Sequence, residues 1–277
     1  EDRIRPCVGA AYCIDRVYAG KDALCLHNPA TGREARLPHR IAPGPRRLRV
    51  VVAGGGPAGL EAARVAALRG HDVTLFEATG RLGGQVLLAQ RAAWRRDLQG
   101  IVDWLAAEVG RLGVDIRFDT LAEADDILAL APDVAIDATG GLPKAPEAEG
   151  AALVLSTWDA LARPPAPGAH VLVCDETGGH AGPSLAEYLV RAGASVQLAS
   201  PDRLIGRELG ASSYPVYLRN LSRAGVAMHP NRRLATVRRA GNRLEAVLAH
   251  EMGGPDLTLA VDAVVAECGT EPVTALF

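Results

Sequence analysis

Two sets of residues in this 277-residue chain have types and spacings that could do chemistry. The first is Gly54-Gly55-Gly56-Pro57-Ala58-Gly59, a G-x-G-x-x-G run between the apolar stretch "LRVVVA" and an alanine-rich one. In that setting Gly54 permits a tight turn, Gly56 lets backbone approach a pyrophosphate, and Gly59 lets a helix pack closely on a strand. The helix start at Pro57 and Ala58 adds unpaired N–H groups and a partial positive charge. Glu77 closes the next apolar run, "HDVTLFE", where an acid accepts hydrogen bonds from a ribose hydroxyl. Together these residues predict binding of an ADP-containing dinucleotide. The second set is Cys7, Cys13 and Cys25. Three closely spaced thiols read as a metal site with one ligand missing, and Ala10 stands where a fourth would fall.

The elements that must position these residues follow from periodicity. "LRVVVAGGGPAGLEAARVAALRGHDVTLFE" reads as buried strand, glycine turn, helix and second strand. Residues 94–112 carry apolar side chains at helical spacing, and "VDIRFDT" and "PDVAIDATGG" read as two more strands. Alternating strands and helices predict an α/β fold with a parallel sheet. The pattern restarts at residue 169: a shift of 123 places Gly56 on Gly179, Gly59 on Gly182 and Gly70 on Gly193. Two copies of one supersecondary unit are therefore expected. Between 226 and 268, "GVAMHP", "RLATVRRA", "RLEAVLAHE" and "LTLAVDAVVAEC" read as a small antiparallel meander that returns to the sheet at 261–267. The expected divisions are an irregular cysteine-bearing segment at 1–45, a first Rossmann-like domain at 46–165 and a second at 166–277. "APGPRR" (42–47) is the expected linker.

The second glycine motif is damaged. Thr177 replaces the first glycine, Ser200 falls where the ribose acid would be, and Asp175 and Glu176 end the strand. Two carboxylates beside a pyrophosphate repel it. Arg203 is the nearby base that an NADP site would use, so NAD(P)H binding here stays open. His180 in the turn reads as a surface or capping group.

Composition bounds the rest. A formal charge of −2 with 22% charged residues argues against nucleic acid or an anionic membrane as partner. No apolar run has transmembrane length, and EDRIRPC lacks the apolar core of a signal peptide. Cys174 and Cys268 each sit in an apolar run, so the five cysteines predict no disulfide framework, and a cytoplasmic location is expected. The chain opens abruptly and closes soon after a strand, which reads as a fragment truncated at both ends.

Longer stretches carry a family resemblance. "EATGRLGGQ" (Glu77 to Gln85) resembles the segment that covers the FAD phosphates in flavoproteins with two dinucleotide-binding domains. This implies that Ala78, Arg81, Gly84 and Gln85 touch the cofactor. "DATGG" (137–141) resembles the strand end at the junction of the FAD and NAD(P) domains, which implies the same for Thr139 and Gly140. "RPCVGAAYCIDRVYAGKDALCLHNPATGRE", followed by "GGGPAG", resembles the post-barrel region of the trimethylamine dehydrogenase and 2,4-dienoyl-CoA reductase family, flavin oxidoreductases related to old yellow enzyme. That resemblance implies an N-terminal FMN-binding barrel outside this chain, an iron–sulfur segment, and FAD or ADP at the first Rossmann site. Cys7, Cys13 and Cys25 match the first, third and fourth cluster ligands; Ala10 departs from the pattern at the second. A three-cysteine 3Fe–4S cluster, a 4Fe–4S cluster completed by Tyr12 or His27, and an inherited scaffold with idle thiols all remain open.

The implied function is the electron-transfer and nucleotide-binding part of an oxidoreductase, either an oxidative N-demethylase or amine dehydrogenase or, alternatively, an NAD(P)H-dependent dienoyl-CoA or enoate reductase. A third reading is a nucleotide-binding module without redox chemistry. The damaged second motif favours the first. Implied partners are the barrel, an external acceptor such as an electron-transfer flavoprotein, and further copies of the full-length enzyme. No catalytic acid, base or nucleophile is expected in this chain.

Overall fold

A computed structural model of the chain describes residues 4–92 and 94–276. The chain divides into two compact units, the first taking in the described residues of Glu1–Gln90, Arg95–Gly141 and Pro272–Phe277, the second Arg91–Trp94 and Leu142–Glu271.

In the first unit the N-terminal stretch holds one short helix, α1 (Tyr12–Tyr18), where irregular structure was expected. None of its residues is buried, so it is not an element that core packing selected. The sheet follows: β1 (Arg49–Ala53), β2 (Asp72–Phe76), β3 (Asp115–Arg117) and β4 (Val134–Asp137), all parallel in the order β3-β2-β1-β4. Side chains alternate across the sheet. Val50 and Val52 of β1 pack with Leu60 and Ala63 of α2 (Pro57–Leu68) and with Leu105 and Val109. Val51 and Ala53 face the other way, onto Phe76 and Ile127. Cover on both faces explains why "RVVVA" is a continuous apolar run rather than an alternating one.

The helix predicted at 94–112 begins as a 3₁₀ turn at Arg96–Leu98 and continues as an α-helix over Gln99–Arg111. It is α4, because a single turn, α3 (Val86–Ala89), precedes it; α5 (Ala124–Ala129) follows with a capping box from Glu123 and Asp126. The chain runs from β1 to β2 on one side and returns to β4 on the other. That reversal leaves a crevice at the carboxyl ends of the strands, beside the Gly54–Gly59 turn.

The second unit repeats the plan with one strand more. After β5 (Gly141–Pro143), β6 (Leu155–Ser156) leads into α6 (Thr157–Ala162); β7 (His170–Asp175), α7 (Ala181–Arg191), β8 (Ser195–Ala199), α8 (Tyr214–Arg223) and β9 (Ala227–His229) follow. Then come the meander of β10 (Arg232–Ala240), β11 (Arg243–His250) and β12 (Leu257–Val261), and lastly β13 (Ala263–Glu267) and β14 (Thr270–Pro272). The main sheet is parallel in the order β6-β13-β7-β8-β9, and β14 pairs with β5.

Three expectations are corrected here. "GVAMHP" is not part of the meander: β9 pairs in parallel with β8 at the edge of the main sheet, and the antiparallel sheet is β10-β11-β12 alone. The break expected at 165–166 falls instead after Gly141, because β6 hydrogen-bonds to β13 and so ties 142–165 to the second unit. Likewise, the cysteine-bearing segment belongs to the first unit and is no separate body. Val171 and Val173 of β7 face Leu185 and Leu189 of α7, while Leu172 and Cys174 face Leu234, Ala246 and Leu248 of the meander. The five cysteines are free thiols, and no helix among the described residues is long and apolar enough to cross a membrane.

Candidate functional site

The Gly54–Gly59 turn is shaped by close contacts that only glycine permits. Gly54 has φ +105°, and a Cβ there would lie 2.3 Å from the Ala138 carbonyl oxygen. At Gly59 a Cβ would lie 1.8 Å from the Gly54 carbonyl oxygen, so the helix start rests directly on the turn. Gly56 differs: nothing lies within 4 Å of its would-be Cβ, and the open side faces the crevice. Pro57 takes the first position of α2, where its fixed φ suits the helix and its missing N–H costs no bond.

The crevice is a cavity of about 530 Å³ lined by Ala53, Gly54 to Ala58, Phe76, Glu77, Ala78, Gly84, Gln85, Val86, Thr120 to Ala122 and Ala138 to Gly140. Of the residues expected from the sequence, Gly54, Gly56, Pro57, Ala58, Glu77, Ala78, Gly84, Gln85, Thr139 and Gly140 are brought together in this one wall. Gly59 lies beneath it and acts through packing. Arg81 does not line it; its backbone oxygen accepts from the Thr79 hydroxyl at 2.9 Å in an exposed turn.

Phe76, Val86 and the Thr120–Ala122 loop were not anticipated. The signal for the loop lies in the strand order: β3 neighbours β2, so the residues after β3 emerge beside the crevice. Leu121 there is 75% exposed, an apolar side chain at the rim.

Glu77 is buried and already partnered. Its Oε2 accepts from Gly55 N at 2.9 Å, and its Oε1 accepts from Thr79 N at 2.9 Å and the Thr79 hydroxyl at 2.8 Å. A carboxylate offers about four acceptor positions. One acceptor position on Oε2 is left unfilled by these bonds, and the carboxylate braces the turn. Thr139 is held in the same manner, its N–H and hydroxyl both donating to Asp137 Oδ1.

The second turn has a different interior. Asp175 is fully buried, and its Oδ1 accepts from Thr177 N at 3.0 Å, the Thr177 hydroxyl at 2.8 Å and Gly178 N at 3.0 Å. These amides are the counterparts of Gly54 and Gly55, whose N–H groups in the first turn go to the Phe76 carbonyl and to Glu77; the second turn differs in taking them up with a buried acid at the end of its own strand. A Cβ at Gly182 would strike the Asp175 side chain at 2.6 Å, whereas its counterpart Gly59 meets a backbone carbonyl. Ser200 is fully buried, and its Oγ accepts from Asp202 N. His180 is not a surface or capping group: its Nδ1 lies 3.3 Å from the Tyr217 hydroxyl, and the two rings pack at 5.8 Å.

Burial pushes the Asp175 carboxyl from its ordinary 3.8 up to about 6, although the three donors pull the other way; its Oδ2 has no partner. A carboxyl raised in the folded state favours folding below its unfolded pKa, and that contribution fades as pH rises from about 4 through about 6. Asp175→Asn is therefore expected to stabilise the protein at pH 7.5 by up to about 3 kcal/mol and to change little at pH 4. Denaturant unfolding at both pH values checks this; an equal effect at both would contradict it.

The cysteine segment is fixed by other groups. Arg5 donates to the His27 carbonyl at 2.6 Å, pairs with Glu61 at 3.1 Å and stands 4.1 Å from the Trp104 ring centroid. His27 is buried with Nδ1 3.1 Å from the Pro6 carbonyl, its ring edge-on to Trp104. Cys7 and Cys13 are exposed, Cys25 is half-buried, and Ala10 packs its methyl against the core. Among the described residues, no three or more His, Cys, Asp or Glu are gathered where they could hold a metal ion. With three thiols and no donor at Ala10, these residues do not fit a four-thiolate cluster.

Comparison with known proteins agrees with this geometry. Residues 48–277 match the family model of the pyridine nucleotide-disulphide oxidoreductases. All of the chain aligns at 45% identity with 41% of a probable N-methylproline demethylase from Rhizobium meliloti (strain 1021). It aligns at 47% identity with 41% of an N,N-dimethylglycine/sarcosine dehydrogenase from Chromohalobacter salexigens. Among solved structures, 6-hydroxypseudooxynicotine amine oxidase from Pseudomonas geniculata N1 superposes with a TM-score of 0.89 at 26% identity, covering 98% of this chain and 42% of that one. The chain thus spans about two fifths of the length of these relatives. The resemblance to the trimethylamine dehydrogenase and dienoyl-CoA reductase group is borne out, as is the α/β fold with Rossmann-like parallel sheets.

Proposed function

The chain belongs to the pyridine nucleotide-disulphide oxidoreductase family, and from that premise we propose that it is the nucleotide-binding, electron-transfer part of an oxidative N-demethylase or amine dehydrogenase. The observation that carries the reading is the contrast between the two glycine turns. The first leaves Gly56 open onto a cavity of about 530 Å³, while the second has the buried Asp175 carboxyl packed against its Gly182, a charge that repels a pyrophosphate. One turn open to a dinucleotide and one that repels its pyrophosphate suit an enzyme that receives electrons from its substrate and has no need of a nicotinamide donor. A reductase fed by NAD(P)H needs both.

In the first site the amides of Gly56 and Ala58 and the start of α2 would hold the diphosphate of FAD or ADP, and Glu77 would take a ribose hydroxyl. Gln85, Thr139 and Gly140 border the far end of the cavity, where the rest of a flavin dinucleotide would extend. A flavin there supplies acceptance of a hydride or electron pair and its release one electron at a time. The chain's own task is to bind, orient and keep water from that group; no side chain in this cavity is placed as an acid or base. Substrate oxidation belongs to the part of the relatives' length outside this chain, an FMN barrel in this reading, with an external flavoprotein as acceptor.

Anaerobic titration of the full-length protein tests the reading. A secondary or tertiary N-methyl amine substrate is expected to bleach the flavin absorbance, and stoichiometric NADPH to leave it unchanged. Rapid bleaching by NADPH would overturn it.

A further inference from the structure

A second cavity in the first unit, of about 660 Å³, shares no lining residue with the crevice. Its floor is one face of α2 and the residue that caps it: Glu61, Arg64 and Val65, with Arg69 just past the helix end, recur at helical spacing, and Trp104 of α4 stands beside them. The strip Pro29–Ala42 forms the opposite wall with Arg36, His39 and Arg40, tethered where Gly44 N donates to the Arg69 carbonyl at 2.8 Å. Arg5 completes the lining.

The charge of this cavity is out of proportion to the chain. Five guanidiniums line it against one carboxylate, in a protein whose formal charge is −2. Arg5 and Arg64, both largely buried, share Glu61 at 3.1 Å and 2.8 Å. Among the described residues, Arg36, Arg40 and Arg69 have no acidic partner. Like charges gathered in a concave, partly apolar wall repel one another and raise the local concentration of anions. Guanidinium forks match phosphate oxygens two at a time, and the volume is that of a small-ligand site.

We propose that this cavity binds a phosphorylated small molecule of nucleoside-phosphate size, with Arg36, Arg40 and Arg69 on the phosphate and the Trp104 wall beside its apolar part. This is a site separate from the dinucleotide crevice, and it stands whether or not the amine-oxidation reading does.

Inorganic pyrophosphate is the probe, titrated calorimetrically into the full-length protein at low and at 0.3 M salt. A saturable site beyond any binding in the crevice is expected, weakened by salt. The triple variant Arg36→Gln/Arg40→Gln/Arg69→Gln should lose at least tenfold in affinity, as should the single charge reversal Arg40→Glu, an exposed position that leaves the fold intact. Gly56→Val, which blocks the crevice, should leave this pyrophosphate binding within about twofold of the parent. Loss of the signal in Gly56→Val with retention in the arginine variants would assign it to the crevice and overturn the proposal. Absence of binding at millimolar pyrophosphate would overturn it as well, and equal affinity for citrate would overturn the phosphate assignment.

Discussion

Gly56→Val is expected to weaken binding of ADP or FAD by about 100-fold or more and to leave the unfolding free energy of the nucleotide-free protein unchanged within about 0.5 kcal/mol. Both halves follow from one observation. Gly56 has φ −72° and ψ 179°, an extended conformation open to any residue, and no protein atom lies within 4 Å of its would-be Cβ. The added Cβ therefore meets nothing within 4 Å in the free protein. The side chain fills the space through which a diphosphate must come to reach the amides at the start of α2. Two charge-assisted hydrogen bonds lost at about 1.5–3 kcal/mol each are enough for the stated drop. Calorimetric titration with ADP, paired with denaturant unfolding, measures the two effects separately. A variant that binds normally would show that the diphosphate does not approach here.

Gly59→Ala is expected to act in the opposite sense, on the fold before the ligand. Its Cβ would sit 1.8 Å from the Gly54 carbonyl oxygen and 3.3 Å from the Ala138 Cβ. Neither neighbour is the loose end of a flexible side chain, so α2 must lift away from β1 and β4. Leu60 and Ala63, fully buried on the next turn, would lift with it out of the core. Overpacking of this kind, with backbone in the contact, is expected to cost about 3–5 kcal/mol. Urea unfolding followed by circular dichroism checks it. Stability within 1 kcal/mol of the parent would show that helix and strand are not in the register described.

These two glycines also show how far the residues could be read in advance. The contact that excludes a side chain at Gly54 comes from Ala138, just past β4, whereas the spacing of Gly54, Gly56 and Gly59 marks the strand–turn–helix by itself. The same holds for the valines of β1, whose continuous apolar run announces a strand covered on both faces. Thr120 to Ala122 could not be found in this way, because their place in the crevice depends on β3 lying next to β2, and strand order is not a local property. For the same reason β9 was misplaced: "GVAMHP" has the character of a short strand, and nothing within it distinguishes an edge of the parallel sheet from a meander.

The sequence marks Asp175 as a hazard to pyrophosphate, through repulsion. What the fold adds is that its carboxylate takes the amides of Thr177 and Gly178 for itself. The bracing of Gly55 by Glu77 was equally hidden, since an acid placed for ribose and an acid placed for backbone have the same spacing. The cysteines mark the limit most clearly. Their spacing matches a ligand pattern, yet an arginine, a histidine and a tryptophan hold the segment, and among the described residues no three or more His, Cys, Asp or Glu are gathered for a metal ion.

The most direct test of the account is a crystal structure of the full-length protein grown with ADP. The account predicts diphosphate oxygens within about 3.2 Å of the Gly56 or Ala58 amide and a ribose hydroxyl on Glu77 Oε2. Density for the diphosphate at the Asp175–Gly182 turn instead, with the Gly54–Gly59 crevice empty, would contradict it.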